Sequence, residues 1–155
     1  REQRQRLYAD PEKGTGTLAD ALKAVAAEVE DAYGHPVDFV AVGTADLNPQ
    51  SSALVQAARA ALFNAAQHAG GQISLYLECS PDAAEVFVRD RGPGFDPDRV
   101  PEDRLGLRES IMGRMQRHGG TARVRTGSNG TEIHLALPLA GAESQTAQEK
   151  EAEKS

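Results

Sequence analysis

From Ile73 to Cys79 the chain alternates strictly, with Ile73, Leu75, Leu77 and Cys79 on one parity and Ser74, Tyr76 and Glu78 on the other. A period of two places side chains on opposite faces of an extended strand, so this segment is a strand with one face to bury. Pro81-Asp82 turns the chain, and residues 84–90 supply a second strand, so the pair reads as an antiparallel hairpin. A sheet that is apolar on one face needs a cover, and the rest of the sequence supplies helices for it.

Leu18, Leu22, Val25 and Val29 recur at helical spacing after Thr17-Leu18-Ala19-Asp20, a capping box with Asp in place of Glu; Gly34 and Pro36 close that helix. Residues 37–43 form a short β-rich run. Asn48-Pro49, a cap followed by Pro at the first helical position, starts a helix predicted to reach about Ala69. Its apolar stripe is Leu54, Val55, Ala58, Leu62, Ala65 and Ala69. A Gly/Pro/Asp-rich loop over 91–104 precedes a helix predicted over 105–118, with Leu107, Ile111 and Met115 on one side. Strands over 121–126 and 131–138 flank the turn Gly127-Ser128-Asn129-Gly130. The order α β α β β α β β predicts a two-layer α/β sandwich, one sheet covered on one face by helices.

Composition sets the limits of the domain. After Leu139 there is no Val, Ile, Leu, Met, Phe or Tyr, and four Glu face two Lys, so residues 140–155 are expected to be an acidic disordered tail. Residues 1–13 read as a charged stub and linker, and 14–139 as the folded domain. Arg1 in place of Met points to a piece of a longer polypeptide. The net charge of −6 argues against a nucleic-acid surface. No apolar run approaches the roughly 18 residues of a membrane span. The single cysteine, Cys79, excludes an internal disulfide framework.

Several polar residues sit where a packed domain gains little from them. Asn64 lies roughly 120° around its helix from the apolar stripe, with Gln67 close by and His68 one turn on; a tolerated boundary Asn beside a surface His fits the same pattern. Asp90 shares strand parity with Ala84, Val86 and Val88, so if helices cover that face its carboxylate points into the interlayer space. Gly92 and Gly94 follow it and permit close approach of backbone to a ligand, as an ordinary turn also would. Thr131 shares parity with Ile133, Leu135 and Leu137. Gly106-Leu107 is predicted to open a helix, where backbone amides favour phosphate.

Taken in order, these boxes closely resemble the nucleotide-binding motifs of the Bergerat (GHKL) ATPase fold: Asn-Ala-Ala-Gln-His on a helix, Asp-Arg-Gly-Pro-Gly-Phe after a strand, Gly-Leu opening a helix, and Gly-Thr-Glu opening the last strand. That superfamily has a mixed, mostly antiparallel sheet. The wording is most similar to the catalytic domains of sensor histidine kinases that pair with LuxR-type response regulators. The stretches 88–111 and 118–120 resemble actinobacterial kinases with a PspC-like input domain.

The resemblance implies ATP and Mg²⁺ as ligands. Asn64 would ligate Mg²⁺ bridging the phosphates, Gln67 and His68 would lie at the phosphates, and Asp90 would accept the adenine amine. Thr131 would hold a water beside Asp90, Gly92 and Gly94 would pass against the nucleotide, and 95–105 would form an ATP lid. The γ-phosphate would go to a histidine on an upstream dimerisation domain. None of His35, His68, His118 and His134 is followed by the Asp or Glu of an acceptor motif, so that histidine lies outside this sequence. A homodimeric full-length protein, cytoplasmic here and anchored in a membrane elsewhere, follows from the same likeness.

Two departures stand out. Ala60 occupies the position where relatives usually carry Glu, and Gly106-Leu107-Arg108-Glu109 lacks a second glycine. Ala60 cannot act as a general base, which counts against a serine kinase or a water-attacking ATPase. A nucleotide-sensing module without transfer is the non-enzyme alternative.

Overall fold

A computed structural model describes residues 16–68, 72–92 and 102–139. The stub over 1–13, the tail over 140–155 and Gly94 lie outside the described residues. The elements follow the predicted order: α1 (Leu18–Tyr33), β1 (Val37–Val42), α2 (Pro49–His68), β2 (Ile73–Cys79), β3 (Ala83–Asp90), α3 (Glu102–Arg117), β4 (Thr121–Gly127) and β5 (Gly130–Pro138).

Local chemistry sets the helix ends. Thr17 caps α1, its hydroxyl accepting from the Asp20 amide at 3.2 Å, and Gly34 ends the helix at φ 63°, donating to the Glu30 carbonyl. Asn48 and Ser51 cap α2 reciprocally: the Ser51 amide donates to Asn48 Oδ1 at 2.9 Å and the Asn48 amide to Ser51 Oγ at 2.8 Å. The Ser51 side chain is fully buried and also donates to the Asp46 carbonyl, so this cap is part of the core.

The five strands form one sheet in the order β1-β2-β3-β5-β4, with β3 in the middle. β1 runs parallel to β2, and the other pairings are antiparallel. The alternation read at 73–79 is the observed one: Ile73, Leu75 and Leu77 are fully buried, as are Ala84, Val86, Leu135 and Leu137 on the neighbouring strands. The helices cover this face, and α2 lies between α1 and α3 while also touching β2, β3 and β5. Such a central helix needs small residues, and Ala57, Ala58 and Ala61 are all fully buried.

Two features of this layer were not anticipated. An ion pair ties α1 to α2, with Arg59 Nη2 donating to Glu28 Oε2 at 2.5 Å; this bond holds the Glu28 carboxyl below the usual carboxylate range. The opposite face of the sheet, which no described helix covers, carries an aromatic row, in which Phe87 stacks on His134 at 4.4 Å and meets Tyr76 at 5.9 Å.

Boundaries differ from expectation by a residue at several strand ends, and by more at the third helix. It begins at Glu102, three residues before the predicted Leu105. Gly106 and Leu107 therefore lie in its second turn, where backbone amides are ordinarily spent on the helix's own hydrogen bonds. The free amide end of α3 belongs to the residues just before them.

Candidate nucleotide site

The best-defined polar cluster is at the end of the central strand. Asp90 closes β3 and pairs across the sheet with Ile73 on β2 and Thr131 on β5. Its parity is that of the buried Ala84, Val86 and Val88, as the alternation predicted, so the carboxylate emerges on the helix-covered side. Asp90 Oδ1 accepts from the Gly92 amide at 3.0 Å and from the Thr131 amide at 3.3 Å. Two backbone amides thus fix the orientation of the group. Among the described residues nothing donates to Oδ2, which leaves it able to accept from a ligand amine.

Thr131 adds a hydroxyl to this cluster, 3.1 Å from that of Thr126, its partner on β4. Gly92 is buried directly after the strand. Asp90, Gly92 and Thr131 are therefore brought together.

From the sequence Gly130 is a turn residue and the first residue of the Gly-Thr-Glu box, with no role of its own. It sits at φ 133°, and a Cβ there would lie 1.9 Å from the Asp90 carbonyl oxygen. The β4–β5 hairpin can thus reach Asp90 only with glycine at this position. Thr126 was likewise missed, because its significance comes from a cross-strand pairing that no local pattern announces.

The remaining candidates are on helices. Asn64 is half-buried on α2, and Ala60 one turn before it is also half-buried. Gln67 is exposed, and His68 is the last residue of α2, its side chain lying outside the described residues. No hydrogen bond joins Asn64 to Asp90 among the described residues, so the structure gives two half-sites on adjacent elements. α2 packs on β3 and β5, the strands that carry Asp90 and Thr131.

No group of three or more His, Cys, Asp or Glu suited to a metal occurs among the described residues. The Asn64 carboxamide still fits a magnesium ion, a hard cation that takes one or two protein oxygens and completes its shell with phosphates and water.

Residues 50–141 match the family profile described as histidine kinase-, DNA gyrase B-, and HSP90-like ATPase. The histidine kinase domain of a blue-light activated histidine kinase from Erythrobacter litoralis EL346 is similar in structure, with TM-score 0.67 and 23% identity over 82% of this chain and 63% of that one. This chain thus spans less than two thirds of that neighbour. The ATP binding domain of PrrB from Mycobacterium tuberculosis matches with TM-score 0.64 and 26% identity, over 79% of this chain and 94% of that one. A mycobacterial sensor histidine kinase, MprB, matches with TM-score 0.60 and 24% identity, over 79% of this chain and 96% of that one. Likenesses below 25% identity establish a common fold. No curated protein matches the chain significantly.

Proposed function

Because the chain belongs to the family of histidine kinase-, DNA gyrase B- and HSP90-like ATPases, we propose that it is the catalytic domain of a sensor histidine kinase. In this reading it binds ATP with Mg²⁺ and presents the γ-phosphate to a histidine on an upstream dimerisation domain, for relay to a LuxR-type response regulator. The observation that carries the proposal is the Asp90 carboxylate, pinned through Oδ1 by two amides while Oδ2 remains open on the covered side of the sheet.

Each residue then has a task. Asp90 Oδ2 accepts the exocyclic amine of adenine, and the Thr131 hydroxyl holds a water at the ring edge. Asn64 supplies an oxygen to Mg²⁺, which neutralises phosphate charge when bound. Gln67 donates to phosphate oxygen without adding a charge, and His68 lies on the same flank of α2. Gly92 and Gly94 let backbone lie against the nucleotide. The amides opening α3 face the phosphates, with Gly106 and Leu107 one turn further in. Catalysis in such a site is positioning plus electrostatic stabilisation.

The partner domain, the full-length homodimer and a cytoplasmic location belong to the same proposal. No helix among the described residues is long and apolar enough to cross a membrane.

Ala60 favours a second reading, a nucleotide sensor that binds without transfer, because the side chain one turn from Asn64 offers no carboxylate. Mixing the chain with MgATP and a separately prepared dimerisation domain, and following phosphohistidine, separates the two. Transfer supports the kinase. Tight binding without transfer, not restored by Ala60→Glu, supports the sensor.

A further inference from the structure

The end of the sheet that carries Asp90 has a second polar feature, in which the nucleotide reading uses Asp90 and Thr131 and leaves the side chains of the other face unused. A recess of about 810 Å³ opens there, walled by the ends of β2 and β3 and by the β4–β5 hairpin. Ligand pockets are typically ~300–1,000 Å³, so it could hold a small molecule. Ser74, Arg89, Glu132 and Arg125 form one cross-strand row in it. Their parity is opposite to that of Asp90 and Thr131, so the row belongs to the sheet face opposite the described helices.

Of the two acids of the recess, Glu132 is ion-paired and Asp90 is held through one oxygen only. Glu132 Oε1 accepts from Arg89 Nε at 2.6 Å, and Asp90 Oδ1 accepts from two amides. The cations exceed them: among the described residues, neither Arg91 nor Arg125 has an ion pair, although both line the recess. Ser74 and, at the hairpin tip, Ser128 add hydroxyl donors. A chain of net charge −6 thus gathers three guanidinium groups against two carboxylates in one concavity, with Arg91 and Arg125 outside any ion pair among the described residues. Guanidinium forks suit the geometry of phosphate and carboxylate oxygens.

We propose that the outer side of this recess, on the sheet face opposite Asp90 and Thr131, binds a small molecule bearing several oxyanion groups. Arg91 and Arg125 supply the charge, Arg89 is held in place by Glu132, and Ser74 and Ser128 complete the donor set. The inference does not rest on the assignment of Asp90 to adenine.

Pyrophosphate, titrated without metal into the isotopically labelled full chain, tests it. The amide resonances of Ser74, Ser128 and Asn129 should shift saturably, and should do so equally in Asn64→Ala, a variant that leaves the recess intact. The double variant Arg91→Gln, Arg125→Gln should weaken binding at least tenfold with an unchanged melting temperature. Competition by citrate would extend the ligand class to polycarboxylates, and its failure would restrict the recess to phosphates. Three outcomes overturn the proposal: no saturation, shifts confined to α2 and the start of α3, or unaltered affinity in the double variant. Loss of nucleotide binding in an Asp90 variant would bear only on the function proposed above.

Discussion

A carboxylate held by two amides and open at its other oxygen can be probed by changes that separate its two roles. Asp90→Asn retains a carbonyl-type oxygen that can take the place of Oδ1 toward Gly92 and Thr131, while the second position becomes a donor facing a donor. ADP affinity should then fall about tenfold to hundredfold, from a hydrogen bond to a charged group worth roughly 1.5–3 kcal/mol, with little change in unfolding free energy. Asp90→Ala should also cost stability, because both amides lose their acceptor. Calorimetric titration beside urea unfolding measures both; unchanged ADP affinity in Asp90→Asn would place adenine elsewhere. Gly130 offers a comparison of backbone requirements. Gly130→Ala should destabilise the chain by at least ~1–3 kcal/mol through its positive φ and the clash with Asp90. Gly127→Ala, at the other end of the same hairpin, meets nothing within 4 Å and should be nearly neutral. Urea unfolding of the two variants, with equal losses, would show that the hairpin does not need glycine to reach Asp90. The orientation of Asp90 was legible in the sequence, because strand parity is a local rule. The role of Gly130 was not, since it depends on a contact forty residues away in the chain.

At the scale of elements, α2 carries most of the packing and half of the site. Its fully buried alanines set the distance between the helix and its neighbours, so Ala61→Leu should cost about 1–3 kcal/mol by overpacking. Ala60→Glu, one position earlier and half-buried, should change the unfolding midpoint far less, since a long acidic side chain can lead its charge to solvent. Urea titrations of the two variants test this contrast, and equal losses would mean that the Ala60 side of α2 is also closed by packing. Helix periodicity made α1 and α2 legible, together with their caps. The start of α3 is less legible, because the Gly/Pro/Asp-rich composition after Asp90 reads as loop. Pro101-Glu102-Asp103, a proline followed by two acids, is the stronger local signal, since acids in a first turn complement the helix dipole. With the boundary at Glu102, the amides available to phosphate precede Gly106.

For the whole molecule, the number of layers follows from one-sided strands that need a cover, and this was readable. The placing of β3 at the centre and the parallel pairing of β1 with β2 were not, because strand order is decided by contacts remote in sequence. That topology has an energetic consequence. Residues from α1, α2, α3 and every strand share one buried cluster, so the domain should unfold in a single transition. A ligand that binds only the folded state then stabilises all of it. At ADP one hundred times its Kd the gain is about 2.7 kcal/mol, enough to raise the melting temperature by roughly 10 °C in a domain of this size. Mg²⁺ should increase that shift at fixed ADP if Asn64 contributes to a metal–phosphate bridge. Asn64→Ala should then keep most of the shift seen with ADP alone and lose the increment due to Mg²⁺, whereas Asp90→Asn should lose most of both. Thermal scans with ADP, with and without Mg²⁺, compare these patterns directly. A full magnesium increment in Asn64→Ala would move the metal ligand off α2 and leave Asp90 as the nucleotide anchor.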